Sequence, residues 1–311
     1  MERQKIVVLA GPTASGKSSH ALAVAEKLGA HILCADSMTV YRGMDIGTSK
    51  PTREDRARVP HHFLDVVNPD EAFTAADFST QGRAILSELK EKGIPALVVG
   101  GTGLYIRALI HGLFEGPPAH PHLRAELLAE EGKDPGYIHR RLEPLDPAAA
   151  ARLHPRDLVR VIRALEVVLT TGQPLSRWIE AHQFQDRPFD VLFLCLEMPR
   201  EELYRRVDAR VEDMMAQGLV REVKGLLARG YTPGLKPMMG LGYLHMCRHL
   251  VEGMDLREAV RTLQRDTRHF ARRQLTWMRS EEGVVYHPAS EGDALHTAII
   301  THLNGGRDHV R

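Results

Sequence analysis

The segment at residues 11–18, GPTASGKS, restricts the fold of this chain more than any other feature of its sequence. It matches the pattern G-x-x-x-x-G-K-[ST] at every position. An apolar run at residues 5–10 precedes it, and an amphipathic stretch that stops at Gly29 follows it. A second apolar run, His31–Ala35, comes next, so the order is strand, glycine loop, helix, strand. This order is typical of a βαβ unit and predicts a parallel sheet.

The same segment predicts a polyphosphate site. Its glycines allow the backbone to curl so that N–H groups face phosphate oxygens, and the following helix adds the partial positive charge of its N-terminus. Lys17 would neutralise phosphate charge, and the hydroxyl of Ser18 is a candidate Mg²⁺ ligand. The motif specifies neither which polyphosphate binds nor whether it is hydrolysed.

An acidic residue, Asp36, follows the second predicted strand. In doubly wound sheets ligands bind beyond the carboxyl ends of the strands, so we expect Asp36 to lie near the glycine loop. Its carboxylate could bind Mg²⁺ through water, cap a helix or act as a general base. The position of this residue alone leaves these three roles open.

The rest of the pattern predicts an α/β core that is interrupted by a helical insertion. Further strands are predicted at residues 95–99 and 189–196, and further helices at residues 76–92, 200–229 and 256–279. Between residues 114 and 188 strand-like runs disappear, and short amphipathic segments replace them. We therefore expect three parts: a core formed by residues 1–113 and 189–303, a helical domain at 114–188, and a flexible tail at 304–311.

Composition narrows the class of protein. No apolar run is long enough to cross a bilayer, and no signal peptide precedes the first strand, so we expect no association with a membrane. Cys34, Cys195 and Cys247 are widely spaced and odd in number. This favours free thiols and a cytoplasmic protein.

Charge is distributed unevenly along the chain. The net charge of +1 does not by itself indicate a nucleic-acid partner, but residues 261–279 contain six arginines and a single acid, Asp266. Five of them share one side of the predicted helix, and we call them the arginine stripe: Arg261, Arg265, Arg268, Arg272 and Arg279. Such a stripe suits a phosphate backbone. The same pattern also occurs on solvated helix faces, among arginines paired with acids, and in lids that clamp a bound phosphate.

Five segments together resemble the motifs of the tRNA dimethylallyltransferases, or isopentenyl-tRNA transferases. They are GPTASGKS at 11–18, ADSMTVYRGMDIGTSKP at 35–51, PHHFLD at 60–65, VVGGTGLY at 98–105 and FARRQLTWMR at 270–279. The segments follow the family's order over nearly the whole chain, and the second is far more specific than the glycine loop. Because no cysteine/histidine zinc-finger pattern follows Trp277, the chain is similar to the bacterial form.

The resemblance implies a P-loop NTPase/kinase-like parallel sheet with an inserted all-helical domain that grips the anticodon stem-loop. It implies transfer of a dimethylallyl group from dimethylallyl diphosphate to the N6 amine of the adenosine 3′-adjacent to the anticodon in tRNA. Diphosphate would be released, and Mg²⁺ would be the cofactor. We expect the enzyme to act as a monomer.

The resemblance also implies roles for individual residues. Asp36 would be the general base, Thr102 would help to hold the reacting centre, and Lys17 would stabilise the leaving group. The donor's diphosphate would lie against the glycine loop: Gly11, Thr13, Ala14, Ser15, Gly16, Lys17 and Ser18. The tRNA would contact residues from several segments: Asp36, Ser37, Met38, Thr39, Thr102, Arg124, Arg160, Arg163, Gly242, Arg272, Arg273, Gln274, Trp277 and Arg279.

The chain departs from the family pattern at a few positions. His245 stands where Glu or Gln is frequent, Arg272 stands where Lys is common, and Ser18 replaces the frequent Thr. The last two changes preserve the charge and the hydroxyl.

Three other functions share part of the pattern. A small-molecule kinase that uses ATP shares the glycine loop and the arginine-rich helix. An enzyme that prenylates free AMP or ATP shares the donor site. A nucleotide-switched RNA-binding module shares both the glycine loop and the arginines. A kinase function does not explain the segment at 35–51. Prenylation of a free nucleotide is less consistent with the helical insertion, which suits a large RNA better.

Overall fold

The computed structural model describes residues 3–114, 116–182 and 186–305 of the chain. The chain divides into two compact units. We call them the core unit, Met1–Ile110 with Arg187–Arg311, and the helical unit, His111–Asp186.

The strands of the core unit form one parallel sheet, as the βαβ pattern predicts. Within the described residues the sheet has six strands in the order β3-β2-β4-β1-β5-β6, and every pairing is parallel. The strands are β1 Gln4–Ala10, β2 His31–Ala35, β3 His61–His62, β4 Ala96–Gly100, β5 Phe189–Glu197 and β6 Val284–Pro288. The central strand β1 is the most deeply buried, with residues 6–10 at 0% exposure.

The sequence predicted four of these strands and missed the two at the edges of the sheet. β3 has only two residues, and β6 has three half-buried and two exposed residues, with none fully buried. Neither one forms the continuous apolar run by which a buried parallel strand is recognised.

Helices cover the sheet and form the whole of the helical unit. In the core unit they are α1 Lys17–Leu28, α2 Arg53–Arg58, α3 Ala75–Glu91, α4 Gly103–His111, α10 Arg200–Gln217, α11 Leu219–Ala228, α12 Tyr243–Glu252, α13 Leu256–Met278 and α14 Gly292–Leu303, with a 3₁₀ turn at Lys236–Met239. In the helical unit they are α5 Pro121–Lys133, α6 Tyr137–Leu142, α7 Pro147–Arg152, α8 Leu158–Thr171 and α9 Leu175–His182. No helix in the described part of the chain is both long and apolar enough to span a membrane.

The prediction of a single helix at residues 200–229 was wrong. Gly218 has φ 103° and is at once the C-cap of α10 and the N-cap of α11. This backbone conformation is open to glycine and strained for other residues, so the chain turns there instead of continuing as one helix.

Two further predictions concern the end of the first helix and the tail of the chain. Gly29, where the first helix was predicted to stop, is its C-cap with φ 60°. Of the tail predicted at 304–311, Asn304 and Gly305 form a turn after α14, and residues 306–311 lie outside the described part of the chain.

Cys34, Cys195 and Cys247 are buried free thiols, as predicted.

Two neighbouring strands approach closely where they end. A Cβ atom on Gly100, at the end of β4, would lie 2.1 Å from the carbonyl oxygen of Ala35, at the end of β2. Any side chain at position 100 would therefore push the two strand ends apart. The glycine keeps the residues that follow β2 and β4 next to each other.

The helical unit has its own apolar core, formed mainly around α8. Residues of α5 to α9 contribute to it, including Leu127, Ile138, Leu142, Val161 and Leu165, each with 0% exposure. Two acidic residues in this unit are also fully buried, Asp146 and Glu166, and Glu166 on α8 is the one paired with arginines.

Three hydrogen-bond donors surround Glu166. Arg124 donates to both carboxylate oxygens over 2.7 and 2.8 Å, Arg163 donates over 2.6 Å, and the backbone N–H of His120 donates over 2.6 Å. Burial alone would raise the pKa of this carboxyl, but the bonds from Arg124, His120 and Arg163 outweigh it and lower the pKa to about 2. Glu166 therefore ties α5 to α8 as a charged group.

We expect Glu166→Gln to destabilise the helical unit by about 3 kcal/mol, because the two arginines would then face each other without a buried counter-charge. Hydrogen exchange of the α8 amides at pH 7 would measure this loss. The folded pKa lies below the unfolded value, so the contribution is complete above pH about 4.5 and disappears as the pH falls toward 2. The difference between wild type and variant should shrink over the same range.

The matched control is Glu130→Gln, which removes a carboxylate from a half-exposed ion pair with Arg141 in the same unit. Its effect should stay below about 1 kcal/mol. Equal protection of α8 in wild type and Glu166→Gln would contradict this role of Glu166.

Candidate active site

The glycine loop joins β1 to α1 in a conformation prepared for an anion. Gly16, the N-cap of α1, has φ 89° and offers no side-chain cap, and Ala14 has φ 65°. No side chain at Gly16 accepts from the N–H groups at the start of α1, so together with the helix dipole these groups can hold phosphate oxygens. Ser15 is buried, and its hydroxyl has no hydrogen-bond partner within the described residues.

Lys17 and Ser18 occupy the first turn of α1. The Lys17 ammonium donates to the carbonyl oxygen of Pro12 over 3.2 Å. Burial and the nearby positive charge of Arg210 lower the pKa of Lys17 to about 8, although Asp36 acts in the opposite direction. The side chain of Ser18 is exposed.

Arg210 was not predicted from the sequence. It lies on α10, and its Nε is buried without a hydrogen-bond partner in the described part of the chain. Burial lowers the pKa of Arg210, although the negative charge of Asp36 acts in the opposite direction. Arg206, one turn earlier, comes within 3.9 Å of the position that a Cβ on Gly16 would take. The spacing of these two arginines on one helix face was the available signal. Two poorly solvated cations, Lys17 and Arg210, thus influence each other at a place that suits a bound anion.

The turns after β2 and β4 are joined by hydrogen bonds. The N–H of Thr102 donates to the carbonyl oxygen of Ala35 over 3.1 Å, and the N–H of Ser37 donates to the Thr102 hydroxyl over 3.0 Å. Asp36 Oδ1 accepts from the N–H of Met38 over 2.9 Å, and the Thr39 hydroxyl donates to the Asp36 carbonyl oxygen over 3.1 Å. The structure therefore brings Asp36, Ser37, Met38, Thr39 and Thr102 together.

Gln274 connects these turns to the glycine loop. Its amide oxygen accepts from the N–H of Thr13 over 2.8 Å, and its amide nitrogen donates to the carbonyl oxygen of Gly101 over 3.1 Å. The side chain is 7% exposed. The sequence resemblance implied that Gln274 contacts tRNA. In the structure its amide oxygen and its amide nitrogen both form hydrogen bonds with the protein backbone.

Trp277 packs one turn further along α13. A Cβ on Gly103, at the start of α4, would lie 2.1 Å from the Trp277 ring, so position 103 has room only for glycine. The guanidinium of Arg107 lies over the same ring, 5.4 Å from its centroid. The end of α13 is thereby fixed against the turn after β4.

The arginine stripe is exposed along α13 except at the half-buried Arg268, and its ion pairs divide it into two parts. Arg261 pairs with Glu258, Arg265 with Asp266, and Arg268 with Asp208. Arg272 and Arg279 are exposed and make no ion pair within residues 3–114, 116–182 and 186–305. Arg273, also exposed, lies over the ring of Phe270. The unneutralised charge of the stripe is therefore at the C-terminal end of α13.

The remaining predicted contacts have different surroundings. Gly242 precedes α12 with φ 85°. His245, at the position where the chain departs from the family pattern, is buried and bonded to Asp266 over 3.2 Å. In the helical unit Arg124 and Arg163 are engaged with Glu166, whereas Arg160 is 73% exposed in its pair with Asp157.

We expect Gln274→Leu to weaken binding of inorganic diphosphate, because the N–H of Thr13 and the carbonyl of Gly101 would lose their buried partner. Leaving such groups unsatisfied costs about 1–3 kcal/mol each. Calorimetric titration with diphosphate and urea unfolding would measure the two effects. Gln264→Leu, the same substitution at a half-buried position of α13, is the control and should change neither quantity appreciably. An unaltered diphosphate affinity in Gln274→Leu would refute the bridging role.

Comparisons with known proteins identify the family of this chain. A family model described as IPP transferase matches residues 39–281. The tRNA dimethylallyltransferase of Geobacter metallireducens is 49% identical over 92% of this chain and 93% of its own, and that of Geobacter sulfurreducens is 50% identical over 93% and 94%.

Solved structures are similar as well. A tRNA isopentenylpyrophosphate transferase from Bacillus halodurans has a TM-score of 0.72 at 36% identity, covering 98% of both chains. A eukaryotic dimethylallyltransferase, solved while acting on tRNA, has a TM-score of 0.79 at 28% identity, covering 96% of this chain and 78% of its own. With a matching family model over most of its length and relatives near half identity, the chain belongs to the IPP transferase family, the family of the tRNA dimethylallyltransferases.

Proposed function

We propose that this transferase moves a dimethylallyl group from dimethylallyl diphosphate to the N6 amine of the adenosine 3′-adjacent to the anticodon in tRNA. Membership of the family makes the chain an enzyme of tRNA modification. The observation that carries the proposal is the juxtaposition of a polyphosphate loop with Asp36 and Thr102 at the carboxyl edge of one sheet. An anion site and a carboxylate, placed together, are what this transfer needs.

The leaving group is the first demand of the reaction. As the bond between the allylic carbon and oxygen breaks, negative charge grows on the diphosphate and positive charge grows on the allyl fragment. The N–H groups at the start of α1, with Lys17 and Arg210, would stabilise the diphosphate. A glycine loop of the kinase type suits this task because it stabilises the same departing oxygens, and only the electrophile changes from phosphorus to carbon.

The acceptor is the second demand. The exocyclic amine of adenine is a weak nucleophile that must be positioned and must lose a proton. Asp36 would accept that proton, with Thr102 holding the turn beside it. The adenine must also leave the stack of the anticodon loop to reach a carboxylate at this depth.

Enzymes of this kind generally use a divalent metal. We propose Mg²⁺, held by the Ser18 hydroxyl and by oxygens of the donor diphosphate. Ser18 is exposed at the first turn of α1 and supplies the hard oxygen that Mg²⁺ prefers. The described residues include no group of three or more histidines, cysteines or carboxylates that could hold a metal ion. The bound ion would add positive charge beside the leaving oxygens.

For the RNA we propose contacts at Arg272, Arg273 and Arg279, whose exposed charges no acid among the described residues neutralises. The turn at Met238–Gly242 and the segment at 37–39 would add contacts in the core unit. The helical unit would grip the anticodon stem-loop, with Arg160 as its most exposed contact. Since Lys17, Asp36 and Arg210 all belong to one chain, we expect a monomer to suffice for the reaction.

The proposed function predicts that the purified protein, Mg²⁺ and dimethylallyl diphosphate will add one C5H8 unit to an unmodified anticodon stem-loop RNA. Mass spectrometry with fragment mapping should place the gain on the adenosine 3′ of the anticodon. Parallel reactions with AMP or ATP should yield no prenylated nucleotide and no phosphorylated product. A gain on AMP instead of RNA would replace this proposal with free-nucleotide prenylation.

Within that assay we expect Asp36→Asn to lower kcat by at least about 100-fold, the usual contribution of a general base, while RNA affinity changes little. Asp213→Asn, an exposed position on α10, is the control and should retain full turnover. Near-normal turnover of Asp36→Asn with intact RNA binding would remove Asp36 from the role of base.

The division of the arginine stripe predicts a difference in salt dependence. Changing Arg272 and Arg279 together to Gln should flatten the slope of log affinity for RNA against log salt by about 1.5 units, because two phosphate contacts are lost. Changing Arg261 and Arg265 to Gln is the matched control, since both are already paired with acids. If both double variants flatten the slope equally, the two parts of the stripe do not differ as proposed.

A further inference from the structure

Residues 36–50, which we call the Asp36 segment, run from the proposed base through a long irregular stretch. The segment consists of turns and one isolated bridge between Tyr41 and Val67, with no helix or strand. A segment without regular backbone pairing keeps one conformation only if other groups satisfy its N–H and C=O groups. Its side-chain partners therefore determine how firmly the segment is held.

The start of the segment is held by the sheet. Thr102, at the end of β4, accepts from the N–H of Ser37, and Asp36 accepts from the N–H of Met38. In the middle, the buried ammonium of Lys50 donates to the carbonyl oxygen of Tyr41 over 2.5 Å and to the carboxylates of Asp45 and Asp65.

In the far part of the segment, beside the contact of Lys50 with Asp45, residues 45–47 are held by the carboxylate of Glu222 on α11. Its Oε2 accepts from the N–H groups of Asp45 over 2.9 Å and Ile46 over 2.7 Å, and its Oε1 accepts from the N–H of Gly47 over 3.1 Å. Successive N–H groups that converge in this way form a nest for an anion. Here the anion is a side chain from another part of the protein.

Tyr243 completes this arrangement. Its hydroxyl donates to Oε1 of Glu222 over 2.7 Å, and its side chain is fully buried at the start of α12. Burial and the neighbouring Glu222 raise the pKa of the Tyr243 phenol, so it stays a neutral donor. The ring also fills the space beside Gly47, where a Cβ would lie 2.5 Å from it. Close by, the Met38 side chain lies against Gly240.

We propose that Glu222 and Tyr243 are positioning residues for RNA binding: together they fix the far part of the Asp36 segment, and so shape the surface that receives the acceptor RNA. The inference rests on the proposed function, in which residues 37–39 line the path of the RNA. The donor loop has separate supports, Gln274 and the start of α1. Loss of the Glu222 contacts therefore weakens the RNA side of the reaction and spares the donor side.

The test compares Glu222→Gln, Tyr243→Phe and the double variant with wild type. For each protein we would measure RNA affinity by fluorescence anisotropy of a labelled anticodon stem-loop, donor affinity by calorimetry, and kcat and KM of transfer. Glu88→Gln, which removes an exposed carboxylate from a pair with Lys92 on α3, is the matched control for the change of charge. Circular dichroism and thermal unfolding would show that each variant is folded.

We expect Glu222→Gln to raise the KM for RNA and to weaken direct RNA binding, each by about tenfold. Tyr243→Phe should change the same two quantities by about threefold. The effects differ because the two substitutions remove different shares of the hydrogen bonds. Donor affinity should stay within about twofold, and kcat within about threefold. In the double variant the two losses should be less than additive, because both substitutions weaken the same hydrogen bond between the Tyr243 hydroxyl and the side chain at position 222.

The direction of the change in RNA affinity distinguishes the positioning role from an effect of net charge. Removing a carboxylate should by itself favour binding of a polyanion, so weaker RNA binding in Glu222→Gln cannot come from net charge. Unchanged RNA affinity in folded variants, or an equal loss of donor affinity, would overturn the inference. If Glu222→Gln does not fold, Tyr243→Phe decides the question. Absence of transfer in wild type would refute the proposed function, whereas direct RNA binding would still test the positioning role.

Discussion

The amide of Gln274 holds together two loops that the sequence keeps far apart. It accepts a hydrogen bond from the glycine loop after β1 and donates one to the turn after β4. The parallel sheet brings both loops to the same edge, and Gly100 allows β2 and β4 to end in contact there. The polyphosphate loop, the proposed base and the helix that carries the arginine stripe thus share one rigid junction. Each part of the proposed reaction depends on that junction.

Charge in this protein is arranged locally, which the net value of +1 conceals. Lys17 and Arg210 are placed where neither is well solvated, and a diphosphate would relieve both. On α13 the first three arginines of the stripe are neutralised by acids, and the uncompensated charge lies at its end. In the helical unit Glu166 binds Arg124 and Arg163, two of the three arginines for which the sequence resemblance implied contact with tRNA.

The sequence predicted the parts of the fold that local pattern specifies. Hydrophobic periodicity and the residues that start or end an element can be recognised without tertiary information. They identify the glycine loop, the buried strands β1, β2, β4 and β5, and the capped helices α1 and α3. β6 lies at the sheet edge with half-exposed side chains, and the break at Gly218 is one glycine inside an otherwise helical pattern. Arg210, Gln274 and Glu222 act through partners distant in sequence. The spacing of Arg206 and Arg210 places them on one helix face, but the partners of a helical arginine, glutamine or glutamate have no local signature. These partners follow from the folded arrangement.

The distance along the chain between the glycine loop and α13 has a consequence for synthesis on the ribosome. The Gln274 side chain that bonds to the glycine loop is translated 261 residues after Thr13. The strand that carries the loop, β1, also pairs with β5, which is translated only after the whole helical unit. A nascent chain therefore holds its glycine loop without these two supports until β5 and α13 have been made.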